Sequence, residues 1–368
     1  MSSVAKRLAG ARVVICVGAG GVGKTTVSAA IAIGLAEEGR RVALVTIDPA
    51  RRLAETLGLR ALGNKPGLVE PRIFSDAGSP LGGELWAMML DARGTFDELI
   101  SLLAPDPTVR DQILANSVYR NLSGAVAGTQ EYSAMAKLFE IAHENTYDAI
   151  VLDTPPSRNA LDFLDAPARL SAFLDSRAFA LLALPGGSAA RAAGALSGAL
   201  ARVLGVSLLG ELARFFALIG KLAEGFRDRA SGVSALLADP STAFVIVSSP
   251  QLAAADEALF LAGALRDAHM RCAALVVNRV HTLLGATNDP QETTARLEPE
   301  LGASLARKVA RADAEAQALA RRDARVTDRL RRSLGDVPAA CVDERSADVH
   351  DIDALAGIAR ELFAGQRL

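Results

Sequence analysis

The chain has 368 residues, of which 50% are hydrophobic and 22% are charged. That balance is typical of a folded globular protein and excludes an intrinsically disordered chain. The 40 basic and 42 acidic residues leave a net charge of −2, so no global positive field favours nucleic acid as a partner. The low-charge segment over residues 178–190 is too short to span a bilayer, and we expect a cytoplasmic protein.

The cysteines and histidines are few and widely spaced. Cys16, Cys272 and Cys341 each lie in or beside an apolar segment, and the sequence has no C-x-x-C pair. The four histidines show no spacing typical of metal ligands. We therefore expect three buried thiols in a reducing compartment, and no zinc site.

A glycine-rich loop separates a predicted strand over residues 13–17 from a predicted helix over residues 27–36. Its sequence from residue 18, GAGGVGKTT, fits the pattern G-x-x-x-x-G-K-[ST] of nucleoside-triphosphate sites. Glycines let successive N–H groups turn toward a phosphate, and the N-terminus of the helix adds partial positive charge. Lys24 can reach the β- and γ-phosphates, and the Thr25 hydroxyl can ligate Mg²⁺. The residues expected to contact the nucleotide here are Gly20, Gly21, Val22, Gly23, Lys24, Thr25 and Thr26.

The same loop also satisfies the shorter pattern G-x-G-x-x-G, through Gly18, Gly20 and Gly23. A dinucleotide site, and with it an NAD-dependent oxidoreductase, is therefore an alternative hypothesis. The shorter pattern is the weaker of the two. A dinucleotide site has no use for Lys24 followed by Thr25, so the sequence favours a triphosphate.

The second predicted strand, residues 41–47, ends at Asp48. An aspartate at the carboxyl end of a parallel strand points into the crevice where α/β proteins bind ligands. Asp48 is therefore a candidate for positioning or deprotonating the attacking water, or for holding a water bound to Mg²⁺. One alternative is that Asp48 caps a helix that begins at Ala50. Another is that it contacts the ribose of a bound dinucleotide.

A second acidic candidate is Asp153, which ends the next predicted strand, residues 147–153. In this arrangement the aspartate accepts a hydrogen bond from a water bound to Mg²⁺, although a helix cap is again the alternative. Two prolines, Pro155 and Pro156, follow it directly. They stiffen the turn, so that it can move as a unit when the γ-phosphate leaves.

The other elements follow from periodicity and breakers. Residues 60–80 are predicted as a loop and residues 285–300 as a polar loop. Further strands are predicted over 85–90, 243–248, 272–278 and 338–342, and helices over 95–143, 166–238, 250–269, 302–334 (as a pair) and 352–363. The strand over 272–278 ends in Asn278, whose amide can read a base edge or form a turn. Large apolar residues over 208–219 predict either a helical core or a hydrophobic docking groove.

These elements predict an α/β fold with a mostly parallel central sheet flanked by helices, which is the P-loop NTPase class. We expect one P-loop domain over residues 1–368, with a helical subdomain inserted in two parts, 92–145 and 166–238.

Four landmarks occur in order: the loop from Gly18, DPARR at Asp48, DTPPSRNALDFLDAP at Asp153, and VVNRV at Val276. In this order the chain resembles the ArsA-type ATPases, which include arsenite-pump motor subunits and ATPases that target tail-anchored membrane proteins. The resemblance implies hydrolysis of MgATP at a dimer interface, coupled to opening and closing of the helical parts. It implies that Asp48 activates water, that Asp153 serves the Mg²⁺ site and that Asn278 contacts adenine.

The chain departs from that family at two points. The second loop position is usually a lysine that reaches across the dimer, and here it is Ala19. Either hydrolysis is slow, as in a nucleotide-gated scaffold subunit, or a paralogous ATPase supplies the lysine in a heterodimer rather than a homodimer. The zinc-binding C-x-x-C of the tail-anchor branch is absent, and the arsenite-site cysteines have no counterpart. The partner or client, expected to be a hydrophobic protein or a membrane protein, is therefore left open.

Overall fold

The structure is a computed structural model that describes residues 3–47, 52–57, 63–122, 129–154, 160–177, 179–180, 206–282, 289–345, 349 and 351–364. Its strands, in chain order, are β1 (Val13–Val17), β2 (Arg41–Thr46), β3 (Gly67–Leu68), β4 (Glu84–Met89), β5 (Ala149–Asp153), β6 (Thr242–Ser248), β7 (Cys272–Val280) and β8 (Ala339–Asp343).

These strands form one sheet in the order β3-β4-β2-β5-β1-β6-β7-β8. All neighbouring pairs are parallel except β3 with β4. The central strands β1, β5 and β6 are buried along their whole length. Continuous apolar sequences of this kind are what a parallel sheet covered on both faces requires. The predicted α/β class with a mostly parallel sheet is confirmed.

The described helices, numbered along the chain, are α1 (Ser3–Leu8), α2 (Lys24–Glu37), α3 (Arg52–Thr56), α4 (Pro71–Asp76), α5 (Ala92–Leu103), α6 (Pro107–Ala115), α7 (Ser117–Leu122), α8 (Thr129–Glu144), α9 (Ala160–Leu174), α10 (Val206–Gly220), α11 (Ala223–Ala238), α12 (Leu252–Asp267), α13 (Pro290–Leu334) and α14 (Ile352–Ala364). None of these helices combines the length and the apolar composition that crossing a membrane requires.

Apolar side chains pack on both faces of the sheet. On one face α2 and α14 contribute residues such as Ile31 and Leu362, which are fully buried. On the other face α8, α11, α12 and α13 contribute residues such as Leu138 and Leu330. The result is the three-layer arrangement of an α/β domain, with β1 in the middle. The loop that follows β1 therefore starts from a fully buried strand that is packed on both faces.

A third apolar cluster contains no strand residue. It includes Ile100 of α5, Ile113 of α6, Tyr132 of α8 and Phe226 of α11, all nearly or fully buried. Phe215, Phe216 and Leu218 of α10 pack against it, and Ile219 belongs to it. For these four residues the core interpretation of the 208–219 segment agrees with the structure; the side chains of residues 206–210 lie outside its description.

Three sequence predictions are wrong. Residues 60–80 are not simply a loop: Leu68 is in β3, and α4 begins at Pro71. Residues 290–300 are helical, because Asp289 caps the first turn of α13 and Pro290 occupies its first position. The predicted helix pair after residue 302 is one continuous helix, and the break lies at Gly302, whose φ is 73°. Short or polar helices give little periodic signal, and here the informative residues were the first-turn prolines of α4 and α13 and the cap Asp289.

The three cysteines lie in β1, β7 and β8, as predicted, and all are free thiols. Burial raises the pKa of Cys16 to about 12 and that of Cys272 to about 11. The pKa of Cys341 is raised as well, again mainly by burial. Cys16 is fully buried, whereas Cys272 and Cys341 are half-buried. Thiols held protonated in this way are poor nucleophiles and poor metal ligands.

Candidate functional site

The glycine-rich loop joins the carboxyl end of β1 to the N-terminus of α2. Gly21 and Gly23 have φ values of 78° and 88°, in the left-handed region that favours glycine. Gly23 occupies the position just before α2, a helix of 14 residues. Free N–H groups at the start of a helix and on a left-handed turn converge on an anion. The local backbone therefore provides a concave site for a phosphate group.

Two of these glycines also have no room for a side chain. A Cβ atom on Gly18 would lie 2.0 Å from the backbone oxygen of Val247, and one on Gly23 would lie 2.2 Å from Nδ2 of Asn278. Both distances are far below van der Waals contact. The loop is therefore pressed against the ends of β6 and β7, which hold its shape.

We expect Gly23→Ala to destabilise the chain, because the substitution adds a steric clash to a left-handed backbone. The expected loss in the free energy of unfolding is at least about 2 kcal/mol, measured by urea denaturation. Gly357→Ala in α14 is the matched control, since a Cβ there meets nothing within 4 Å. That control should be neutral or stabilising by about 0.5–1 kcal/mol. Equal stabilities for the two variants would contradict the described loop geometry.

Lys24 is the first residue of α2, and only 6% of its surface is exposed. Its Nζ atom donates hydrogen bonds to the backbone oxygens of Gly18 (3.0 Å) and Ala19 (2.9 Å). The ammonium group therefore lies back over the loop rather than in solvent. A buried cation next to converging N–H groups is suited to a polyphosphate.

Asp153 lies at the centre of a small polar cluster beside this loop. Its Oδ2 atom accepts hydrogen bonds from the hydroxyls of Thr25 (2.6 Å) and Thr46 (2.9 Å). The carboxylate is fully buried. The cluster follows from strand register, because Asp153 is paired with Cys16 on β1 and with Thr46 on β2. Three parallel strands thus end at one point, next to the first turn of α2.

Thr46 belongs to this cluster, and the sequence analysis missed it. The available signal was a hydroxyl in an otherwise apolar strand, two residues before Asp48. That signal alone does not say which face or which neighbour the side chain meets. The pairing of β2 with β5 brings Thr46 and Asp153 together, and that pairing is a long-range property of the sheet.

Asn278 lies near the end of β7 and is 6% exposed. Its Nδ2 atom donates a hydrogen bond of 2.9 Å to the backbone oxygen of Val22. This contact ties β7 to the loop and was not expected from the sequence. This bond uses one hydrogen of the amide and does not test the expected contact of Asn278 with adenine. That contact stays a prediction. Asp48 and residues 155–159 lie outside the described residues, and the roles expected of them stay predictions as well.

The donor set fits MgATP. Mg²⁺ prefers hard oxygen ligands, and the Thr25 hydroxyl and the Asp153 carboxylate are oxygen groups in direct contact. The loop N–H groups and Lys24 offer positive charge to phosphate oxygens. In a NAD site, neither Lys24 nor the hydrogen-bonded pair of Thr25 and Asp153 would have a function. The geometry therefore agrees with the triphosphate interpretation.

Comparison with protein-family models matches residues 11–298 to a family described as anion-transporting ATPases, ArsA_ATPase. Among curated proteins, the chain is 31% identical to ATPase ARSA2 of Chlamydomonas reinhardtii over 72% of this chain and 66% of that protein. It is 32% identical to the arsenical pump-driving ATPase of Escherichia coli, over 43% of this chain and 26% of that protein. It is also 32% identical to ATPase get3 of Aspergillus terreus, over 42% of each.

The matches thus span less than two thirds of the length of each of these relatives. The family match, in contrast, covers most of this chain and includes the loop, Thr46, Asp153 and Asn278. The chain therefore belongs to the ArsA family of anion-transporting ATPases.

Proposed function

We propose that the chain is a Mg²⁺-dependent ATP hydrolase in which nucleotide turnover moves the helical part of the molecule. The observation that carries the proposal is the convergence of Lys24, Thr25 and Asp153 beside a loop shaped by left-handed glycines. The ATPase names of the relatives agree with it. Three free cysteines are in keeping with the cytoplasm as its compartment.

Each side chain has a task that its position supports. Lys24 would exchange its bonds to two loop carbonyls for bonds to the β- and γ-phosphate oxygens. Thr25 and Asp153 would hold Mg²⁺, which when bound neutralises charge on those phosphates. Thr46 keeps the Asp153 carboxylate oriented. Asp48, by resemblance, would accept a proton from the attacking water, and Asn278 would contact the adenine.

Coupling to the helices would run through α9. This helix begins at Ala160, soon after Asp153, and its last residue Leu174 is buried in the all-helical cluster. Arg227 of α11 donates to Asp175 Oδ1 (2.7 Å) and to the backbone oxygen of Leu174 (3.0 Å). A displacement of the segment after Asp153 would therefore be passed to α11 through a packed and hydrogen-bonded contact.

The two predicted insertions, residues 92–145 and 166–238, would together form the face that receives a client. Their own apolar cluster, with Ile100 and Phe226 at its centre, supports a unit that can shift relative to the sheet. The expected client is a hydrophobic protein or a membrane protein. We further propose a dimer, with either a second copy or a paralogous ATPase facing the loop.

One observation favours a second candidate function, a nucleotide-gated scaffold subunit with little hydrolysis. Ala19 places a methyl group, 8% exposed, in the phosphate loop, so that this position itself supplies no positive charge. Missing cations at a phosphoryl-transfer site reduce rates by orders of magnitude. A scaffold would bind ATP with normal affinity and hydrolyse it only with a partner chain present.

Three measurements on the purified chain separate these functions. We expect ATP, but not NAD, to raise the melting temperature, and we expect turnover that EDTA abolishes. We also expect hydrogen exchange in α9 and α11 to differ between the ADP-bound and ATP-bound chain. Binding of ATP without turnover would support the scaffold. If neither ATP nor ADP binds, alone or with a co-encoded paralogue, the proposed function is wrong.

A further inference from the structure

The phosphate loop of this chain carries one basic side chain, Lys24, which bonds to the loop carbonyls. Phosphoryl transfer spreads negative charge over the oxygens of the moving group, and a second cation commonly stabilises that charge. Ala19 supplies none. A second cation would therefore have to come from the residues around the loop.

A cavity of about 390 Å³ adjoins the loop on the side of β6, β7 and α12. Ala19, Gly20, Gly21 and Val22 form one wall. The charged or ionisable side chains on the other walls are Glu257, Arg279, His281, Arg322 and Glu344. Three of these five groups are basic or can become so, and they lie on the same side of the loop.

Two of the three basic groups are already engaged by one carboxylate. Asp323 of α13 is fully buried, and its Oδ2 atom lies 2.7 Å from His281 Nδ1. Its Oδ1 atom accepts from Arg322, at 2.8–2.9 Å. This arrangement pins β7 to α13 and neutralises charge within the fold. His281 and Arg322 are therefore best explained as structural groups.

Arg279 differs from both. Its side chain is exposed. Within the part of the chain that the structure describes, its guanidinium forms no ion pair and no hydrogen bond. Glu257 and Glu344 line the same cavity, but neither carboxylate is within ion-pair distance of the Arg279 guanidinium. The charge is therefore available to a ligand.

The backbone of Arg279 is unusual as well. Its φ of 61° is in the left-handed region, which non-glycine residues seldom adopt. The register of β7 with β8 shifts between Asn278 and Val280, so that Arg279 is the extra residue of a bulge. Asn278, directly before it, bonds to Val22 in the loop. The bulge thus places Arg279 next to a residue that is hydrogen-bonded to the phosphate loop. Strained backbone of this kind clusters at functional sites.

We propose that Arg279 is the second cation of the phosphate site, contacting the terminal phosphates of a nucleotide. The inference rests on the proposed function. During hydrolysis the bond from the γ-phosphorus to the bridging oxygen breaks, and a water oxygen bonds to that phosphorus. ADP, inorganic phosphate and a proton are released. Arg279 stabilises the charge on the phosphoryl oxygens, and the nucleotide belongs either to its own loop or to the loop of a facing copy.

The test compares wild type with Arg279→Ala, and uses Arg266→Ala on α12 as a control for loss of an exposed arginine. We expect ATP turnover to fall about 100-fold in Arg279→Ala and to stay unchanged in the control. Calorimetry provides a readout besides activity: ADP affinity should hold, while affinity for ADP with fluoroaluminate, which mimics the transferring phosphoryl group, should fall at least about tenfold. Unchanged turnover and unchanged fluoroaluminate affinity would overturn the inference. If wild type itself binds no ADP, the proposed function fails instead.

A rescue variant separates charge from structure. Ala19 lines the same cavity, so a lysine there has room to place an ammonium group near the phosphates. Ala19→Lys in the Arg279→Ala background should restore at least about tenfold of the lost turnover. No restoration, together with a lowered melting temperature in Arg279→Ala, would show that the arginine is structural.

Mixing two inactive variants distinguishes the two sources of the phosphate. Arg279→Ala keeps an intact loop, and Lys24→Ala keeps Arg279. If the arginine acts on a facing copy, the mixture should regain turnover through mixed dimers. If it acts on its own loop, the mixture should stay inactive while Arg279→Ala alone shows the fluoroaluminate defect. Both results support the contact, and each assigns it to one source.

Discussion

Replacing Lys24 with alanine is expected to reduce ATP turnover about 100- to 1000-fold, the range that follows removal of one donor to a developing oxyanion. The expected loss is large because the buried Nζ atom lies over the loop, where it is expected to meet the β- and γ-phosphates. Lys24→Ala also removes two hydrogen bonds to loop carbonyls, so ATP affinity should fall together with turnover.

The control for this variant is Lys308→Ala, which removes an exposed lysine on α13 far along the chain. It should change neither turnover nor ATP affinity. Turnover assays at saturating ATP and calorimetry at fixed Mg²⁺ give the two quantities separately. An active Lys24→Ala variant with normal ATP affinity would contradict the assignment of this loop to the nucleotide.

The second large effect is expected for Asp153→Asn. The amide keeps the shape of the side chain but loses the negative charge that would attract a metal and its water shell. We expect turnover to fall at least about 100-fold and the Mg²⁺ concentration for half-maximal turnover to rise. In the absence of metal, a buried carboxylate is a costly group. The free energy of unfolding of the metal-free variant should therefore stay within about 1 kcal/mol of wild type.

Thr46→Val is the matched partner of Asp153→Asn. It removes one hydrogen bond to the same Oδ2 atom and leaves the carboxylate charge and Thr25 in place. The expected loss of stability is about 1–2 kcal/mol, with turnover within a few-fold of wild type. A Thr46→Val variant that loses as much activity as Asp153→Asn would show that orientation of the carboxylate, rather than its charge at the metal site, is the limiting property.

Most of the sheet could be predicted from the sequence because its strands are buried on both faces. Such strands are continuous apolar segments, and β1, β5 and β6 were found within about two residues of their bounds. Helix α4 and the first turns of α13 were missed for the opposite reason. They are short or polar, and their starts are marked by a proline in the first turn, and for α13 also by the cap Asp289, rather than by periodicity.

The site shows the same division. The loop residues are neighbours in sequence, and Asp153 could be placed near them because carboxyl ends of parallel strands share an edge. Thr46, the bond from Asn278 to Val22, and the left-handed bulge at Arg279 could not be predicted. They depend on register between strands that are far apart in the chain. A single sequence specifies which residues are polar, whereas the sheet decides which of them meet.

The central claim is that the loop from Gly18 to Thr26 holds the phosphates of ATP with a magnesium ion at Thr25. A crystal structure with a non-hydrolysable ATP analogue and Mg²⁺ tests it most directly. The claim requires phosphate oxygens on the loop N–H groups and on Lys24 Nζ, with Mg²⁺ on the Thr25 hydroxyl and Asp153 within reach of its water shell. An analogue bound elsewhere, with Lys24 still on the carbonyls of Gly18 and Ala19, would contradict it.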